Sequence, residues 1–156
     1  MQIFTVSFFG HRYIENALEI EHKLEQTIQA LLQEKEYVEF LVGRDGDFDQ
    51  LVSSTIRRCK RKYRHDNSAH ICVLPYPTAA FQDTENAFRD YYDEIEICEA
   101  SAAGHYKNAH QTRNRAMVDR SDLIVFCIQH DSGGAWQTLK YAKKQAVPYI
   151  HITEAP

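Results

Sequence analysis

LIVFCI, residues Leu123–Ile128, is the longest apolar run of the chain, and it leads through QHDSGGA (Gln129–Ala135) into WQTLKYAKKQ (Trp136–Gln145). Six apolar residues without interruption suit a strand covered on both faces, the situation of a central strand in a parallel sheet. The same run is far too short to cross a bilayer. A helix is expected over Ala135–Gln145, ending on Lys143 and Lys144, whose charges complement a helix C-terminus. A buried strand, a glycine-rich turn and a helix are the repeating unit of an α/β sheet, so the rest of the chain is read for further copies.

Working outward, IFTVSFF (Ile3–Phe9) is β-branched and aromatic and stops at Gly10. Ala17, Ile20, Leu24, Ile28 and Leu31 then recur at helical spacing, with charges between them. YVEFLV (Tyr37–Val42) is a second strand, closed by Gly43. Phe48, Leu51, Val52, Thr55, Ile56 and Cys59 trace a second helical stripe, for which Asp47 is the expected N-cap. HICVL (His70–Leu74) is a third strand, stopped by Pro75 and Pro77. The stretch from Tyr76 to Gly104 is the least regular; a short helix over Thr84–Tyr92 and a short strand over Glu94–Cys98 are expected there. A helix from Asn108 to Arg120 precedes LIVFCI, and Tyr149–Ile152 closes the sheet. Alternating strands and helices with short connections define an α/β fold, a single doubly wound, mainly parallel sheet with helices on both faces. One domain over residues 1–156 is expected.

Composition bounds the function. The 156 residues carry 18 Lys and Arg against 22 Asp and Glu, a net charge of −4, which disfavours a general nucleic-acid coat protein. No signal-peptide pattern opens the chain. Cys59, Cys72, Cys98 and Cys127 are too far apart for a zinc knuckle or a CxxC redox pair. The eight histidines form no HExxH, so no metal site is expected. These features fit a reduced, cytoplasmic protein with neither membrane nor nucleic acid as its expected partner.

In doubly wound sheets ligands bind at the carboxyl ends of the strands. Five of the six glycines (Gly10, Gly43, Gly46, Gly133 and Gly134) fall just after expected strands, beside His11, Arg12, Asp45 and Ser132. Turns need glycine in any case, but they do not need that company of polar residues. Asp131–Ala135 is the best phosphate-site candidate, because free backbone N–H groups at the start of a helix attract anions. Ser132 and Thr138 can add hydroxyl donors. Arg113 shares the inward face of its helix with Ala109, Ala116 and Met117, so it needs an anion, either a ligand or a carboxylate such as Asp119 or Asp122. Asn114 beside it is a candidate for sugar or base contact. Arg12 is a candidate phosphate ligand, and His11 either meets the ligand or caps a turn. Of Asp45, Asp47 and Asp49, one can hold ribose hydroxyls as acids do in dinucleotide folds; capping accounts for the others. GxGxxG and GxxxxGK[ST] are absent, which disfavours a standard dinucleotide or P-loop enzyme. The basic run Arg57, Arg58, Lys60, Arg61, Lys62 and Arg64 is either a solvated helix end, a nucleic-acid patch, or a surface docking the acidic middle segment of another copy in a homo-oligomer.

VSFFGHR (Val6–Arg12), GRDGDFDQL (Gly43–Leu51), VLPY (Val73–Tyr76), RNRAMVDRSDLIV (Arg113–Val125) and SGGAWQTLKYAKKQ (Ser132–Gln145) occur in that order. Together they resemble the SLOG superfamily, in its small bacterial branch close to the DUF1273-like proteins. That superfamily also includes the DprA DNA-processing proteins and the LOG phosphoribohydrolases. The resemblance implies a Rossmann-like sheet with a pocket for a nucleotide or nucleotide-derived ligand and no bound cofactor. Its implied ligand positions are Gly10, Arg12, Gly43, Asp49, Arg113, Asn114, Gly133, Gly134 and Thr138. LOG enzymes carry a catalytic glutamate in PGGxGTxxE. Here Ala-Trp-Gln-Thr-Leu-Lys-Tyr-Ala follows Gly133–Gly134, and no acid appears before Glu154. Binding or sensing without catalysis is therefore the leading expectation. N-glycosidic hydrolysis of a nucleoside monophosphate is the alternative, and it needs another carboxylate, Asp45, Asp49 or Glu96. Binding of single-stranded DNA, as in a DprA-like protein, ranks third.

Overall fold

The computed structural model describes residues 1–153. Its elements follow in the order β1 (Ile3–Gly10), α1 (Ala17–Glu34), β2 (Tyr37–Val42), α2 (Asp47–Lys62), β3 (Ser68–Leu74), α3 (Ala79–Asp83), α4 (Glu85–Tyr91) and β4 (Glu94–Ile97). Then come α5 (Glu99–Ala103), a 3₁₀ turn (Tyr106–Asn108), α6 (Ala109–Asp119), β5 (Leu123–Cys127), α7 (Gly133–Lys144) and β6 (Tyr149–His151). The six strands form one all-parallel sheet in the order β4-β3-β2-β1-β5-β6.

Strand order reverses beside β1: the chain first builds outward through β2, β3 and β4, then crosses back to set β5 against the other side of β1, with Phe8 level with Val125. The two halves of the winding cover opposite faces. Val6, Phe8, Phe40, Val125 and Cys127 pack with Ile20, Leu24 and Ile28 of α1 and Phe48 and Ile56 of α2. Phe9, Leu41, Ile71, Ile124 and Phe126 pack with Met117 and Val118 of α6 and Leu139 of α7. Alternate residues of each central strand thus enter different cores, which is why LIVFCI has no polar position. Each fully buried Leu, Ile or Phe contributes about 1.5–3 kcal/mol by leaving water.

Two local expectations change. Asp47 is the first residue of α2 and not its cap; Gly46 takes the N-cap position, and no side chain caps this helix. The middle segment is more regular than its composition suggests. Thr78 caps α3 by accepting from the Phe81 N–H, and Phe81 and Phe88 carry this segment onto the α1–α2 core. No helix of the described residues is long and apolar enough to cross a membrane.

Candidate functional site

A cavity of about 400 Å³ opens at the carboxyl ends of β1, β2 and β5, where the strand order reverses. Its size falls within the roughly 300–1,000 Å³ of small-ligand sites. Four chain segments line it: Phe8–Tyr13 from β1, the loop from β2 into α2, one face of α6, and the turn from β5 into α7.

At the second of these, Gly43 lets two side chains converge. A Cβ there would lie 2.7 Å from Oδ2 of Asp49 and 3.4 Å from Nη1 of Arg113. Any side chain at residue 43 would displace one of them. Asp49 occupies the third position of α2, from which an acid commonly reaches back to cap its own helix. It does not do so here, and among the described residues no hydrogen bond or ion pair ends on its carboxylate. Loss of water drives its pKa up to about 7; Arg113 opposes that rise and Asp45 adds to it.

Arg113 is held from behind. Its Nη1 donates to the Val73 carbonyl at 2.8 Å, and its Nε donates to Oδ1 of Asn114 at 2.9 Å. Burial lowers its pKa, against the attraction of Asp49. Neither acid named as its partner from the sequence serves: Asp119 accepts from the Tyr141 hydroxyl, and Asp122 accepts from the Thr5 N–H. Asn114 continues the chain of bonds, donating to Oγ1 of Thr138 at 3.1 Å, and Thr138 donates to the Gly134 carbonyl at 2.8 Å. Thr138 is buried and does not line the cavity; its hydroxyl braces the glycine turn.

At that turn, Gly133 has φ 88°, in the left-handed region that a side chain disfavours, and nothing lies within 4 Å of where its Cβ would be. Ser132 is the N-cap of α7 but makes no side-chain cap bond; its hydroxyl pairs with Nδ1 of His130 at 2.9 Å. Ser132 does not line the cavity, whereas Gly133, Gly134 and Ala135 do. The first N–H groups of α7 therefore stay free of a side-chain cap and carry the positive end of the helix dipole.

Of the positions named from the sequence, Gly10, His11, Arg12, Gly43, Asp49, Arg113, Asn114, Gly133 and Gly134 all line this one cavity. Sequence reasoning passed over His110, Gln111 and His130, which line it too. His110 sits one helical turn before Arg113, and His130 directly follows the LIVFCI strand; those two spacings were the available signals. Burial lowers the pKa of both His11 and His110. Glu96 lies elsewhere, on β4, where it accepts from Arg120 at 2.6 Å. Among the described residues no group of three or more His, Cys, Asp or Glu is placed to hold a metal ion.

The basic run is largely compensated within the chain. Arg58 meets Glu25 at 3.0 Å and Glu21 at 3.7 Å, Lys62 meets Glu25, Arg64 meets Asp66, and Lys60 meets Asp93. Arg57 lies over the Tyr91 ring. Asp93 belongs to the acidic middle segment, so part of the charge matching expected between copies is made inside one copy.

No family model matches the chain, and no curated protein does. Solved structures do. DNA processing protein A (DprA) from Streptococcus pneumoniae superposes with a TM-score of 0.69 over 96% of this chain and 50% of its own, at 16% identity. DNA processing protein A from Helicobacter pylori, whose structure concerns its single-stranded DNA binding mode, gives a TM-score of 0.64 over 95% of this chain and 64% of its own, at 14% identity. The chain thus shares the Rossmann-like fold of these proteins and spans half to about two-thirds of their length.

Proposed function

We propose that the protein binds a nucleotide or nucleotide-derived small molecule in the cavity at the ends of β1, β2 and β5. The observation that carries this reading is the convergence on one small-ligand-sized cavity of uncapped helix N–H groups, two arginines and an unpaired carboxylate. The phosphate lies on the N–H groups of Gly133–Ala135, with Arg12 reaching it from the exposed rim. Sugar and base extend towards Asp49 and α6. Within the SLOG superfamily we assign the chain to the DUF1273-like branch, and its free cysteines, Cys59, Cys72 and Cys127 buried and Cys98 partly so, fit a reducing cytoplasm.

Mass spectrometry of small molecules released on denaturing the purified protein tests the reading, followed by equilibrium dialysis with the nucleotide found. A stoichiometric nucleotide is expected. Arg12 is exposed and outside both cores, so Arg12→Ala should leave the fold unchanged and weaken binding at least tenfold. Unchanged binding would remove the phosphate assignment.

A second reading, N-glycosidic hydrolysis, is favoured by one observation: a carboxylate whose pKa lies near 7 suits acid–base work at neutral pH. Release of free base from nucleoside monophosphates by the wild type but not by Asp49→Asn would establish it. Single-stranded DNA, which the Helicobacter pylori protein binds, is the third ligand to test. Because most of the basic run is spent on ion pairs, we expect no retention of single-stranded DNA even at low salt.

A further inference from the structure

Asp49 has no structural employment that accounts for it. It leaves its own helix uncapped, joins no ion pair among the described residues, and yet is held in a cavity with its solvent reduced. An ionised carboxylate in such surroundings is costly unless something donates to it. Arg113, the nearest cation, already spends two of its donors on Val73 and Asn114. The ligand is left to supply the donors.

The topology says which part of a nucleotide comes near. The glycine turn follows β5 and Asp49 follows β2, and β1 lies between them. Two strand spacings, roughly 10 Å, separate the two positions. A nucleotide whose phosphate rests on α7 and which lies across the end of β1 brings its sugar towards Asp49. The donors that a sugar offers are hydroxyls.

We propose, resting on the nucleotide-binding reading above, that Asp49 accepts hydrogen bonds from the ribose 2′- and 3′-hydroxyls and so selects ribonucleotides over 2′-deoxyribonucleotides. Arg113 and Gly43 are positioning residues in this arrangement: one faces the carboxylate, the other leaves room for it.

The charged and titratable groups around Asp49 are Arg113 and His110 on α6, Cys72 on β3, Asp45 on its own loop, Tyr92 after α4, and His11 and Arg12 at the end of β1. His11, His110 and Cys72 are all shifted towards their neutral forms by burial. The preference for ribose therefore follows the ionisation of Asp49 and grows as pH rises through about 7.

The test is equilibrium dialysis of the full chain against the four common nucleoside 5′-monophosphates and their 2′-deoxy counterparts, at pH 6 and pH 8. Hydrogen bonds to a charged group contribute about 1.5–3 kcal/mol, so the ribo form should bind roughly 10- to 100-fold more tightly at pH 8. The gap should narrow at pH 6. Asp49→Asn should still bind both forms, with the preference and its pH dependence reduced. Equal affinity of wild type for ribo and deoxy forms would overturn this inference and leave the nucleotide-binding reading intact, as would a preference unchanged in Asp49→Asn. Absence of binding to every member of both sets would overturn the two together.

Discussion

The imidazole of His11 lies flat on that of His130, with ring centres 3.6 Å apart and planes 14° from parallel. The two are also bonded through the backbone: the His130 N–H donates to Nε2 of His11 at 3.3 Å. The end of β1 is thereby fastened to the turn that starts α7, within the cavity that Asp49 also lines. His11 must keep Nε2 unprotonated to accept that bond, and burial together with the neighbouring His130 lowers its pKa accordingly.

Removing the tether should loosen the turn without unfolding the sheet. In His11→Ala, hydrogen exchange of the N–H groups of residues 130–135 should quicken while those of β1 and β5 stay protected. Acidification that protonates His11, below the ordinary histidine range because its pKa is lowered by burial and by His130, should do the same, since a protonated His11 cannot accept from His130. Unchanged exchange in both experiments would show that the turn is held without this tether, by the bonds that Thr138 and Gln111 make to the Gly134 carbonyl.

Gly10 has no room for a side chain, because a Cβ would overlap Cγ of Phe48. Phe48 is fully buried at the start of α2 and has nowhere to retreat. Gly10→Ala should cost about 1–3 kcal/mol, as overpacking does. In a domain of this size that lowers Tm by roughly 2–10 °C. Thermal melts followed by circular dichroism measure it.

Two hydroxyls at the glycine turn should differ in what they do. Thr138→Val keeps the shape but strips the Gly134 carbonyl and Asn114 of a partner, which should destabilise by about 1–3 kcal/mol. Ser132 is exposed and, among the described residues, its hydroxyl bonds only His130, so Ser132→Ala should change stability by less than about 0.5 kcal/mol. Urea unfolding of the two variants separates them.

His70 should make the protein acid-sensitive. It is buried in β3, with Nε2 paired to the Ser53 hydroxyl at 2.9 Å and Nδ1 without a partner among the described residues. Burial depresses its pKa from 6.5 to about 4. The unfolded chain binds this proton more readily than the native one, so stability is lost as pH falls from about 6.5 towards 4. At about 1.4 kcal/mol per unit the loss reaches up to about 3 kcal/mol. Urea midpoints at pH 7 and pH 4.5 should differ by less in His70→Gln than in the wild type.

Asp49 has the opposite sign. Its native pKa of about 7 lies above the ordinary value of 3.8, so the native state holds a proton that the unfolded chain releases. Stability is lost as pH rises from about 4 to 7. Asp49→Asn removes that cost and should stabilise the unliganded protein at pH 8 by roughly 1–3 kcal/mol. A variant more stable yet with a reduced preference for ribose over deoxyribose is the expected signature of a binding carboxylate.

The sheet and its winding were legible because each rests on a local pattern. LIVFCI reads as a doubly covered strand, and the α1 and α2 stripes read as helices, since burial on a given face leaves a period in the chain. Short connections between them then force parallel strands. The glycines after β1, β2 and β5 marked the edge where the cavity opens for the same reason: strand-to-helix turns are local. What escaped was partnership. Arg113 could be placed on an inward face from its spacing, but its proposed partners Asp119 and Asp122 point elsewhere, and the acid that faces it, Asp49, comes from a helix 64 positions earlier. Thr138, a candidate hydroxyl donor, is buried and bonds the Gly134 carbonyl; the basic run, open to a solvated, nucleic-acid or docking role, is mostly paired with Glu25, Asp66 and Asp93.

The amino-acid sequence by itself determined which segments are strands and helices, and on which edge of the sheet the polar residues gather. Those outcomes depend on hydrophobic period and turn chemistry over a few residues. Only the tertiary structure decided which charges meet, because the reversal of strand order beside β1 brings residues from opposite halves of the chain into one cavity. There, water is scarce enough to make an unpaired carboxylate consequential.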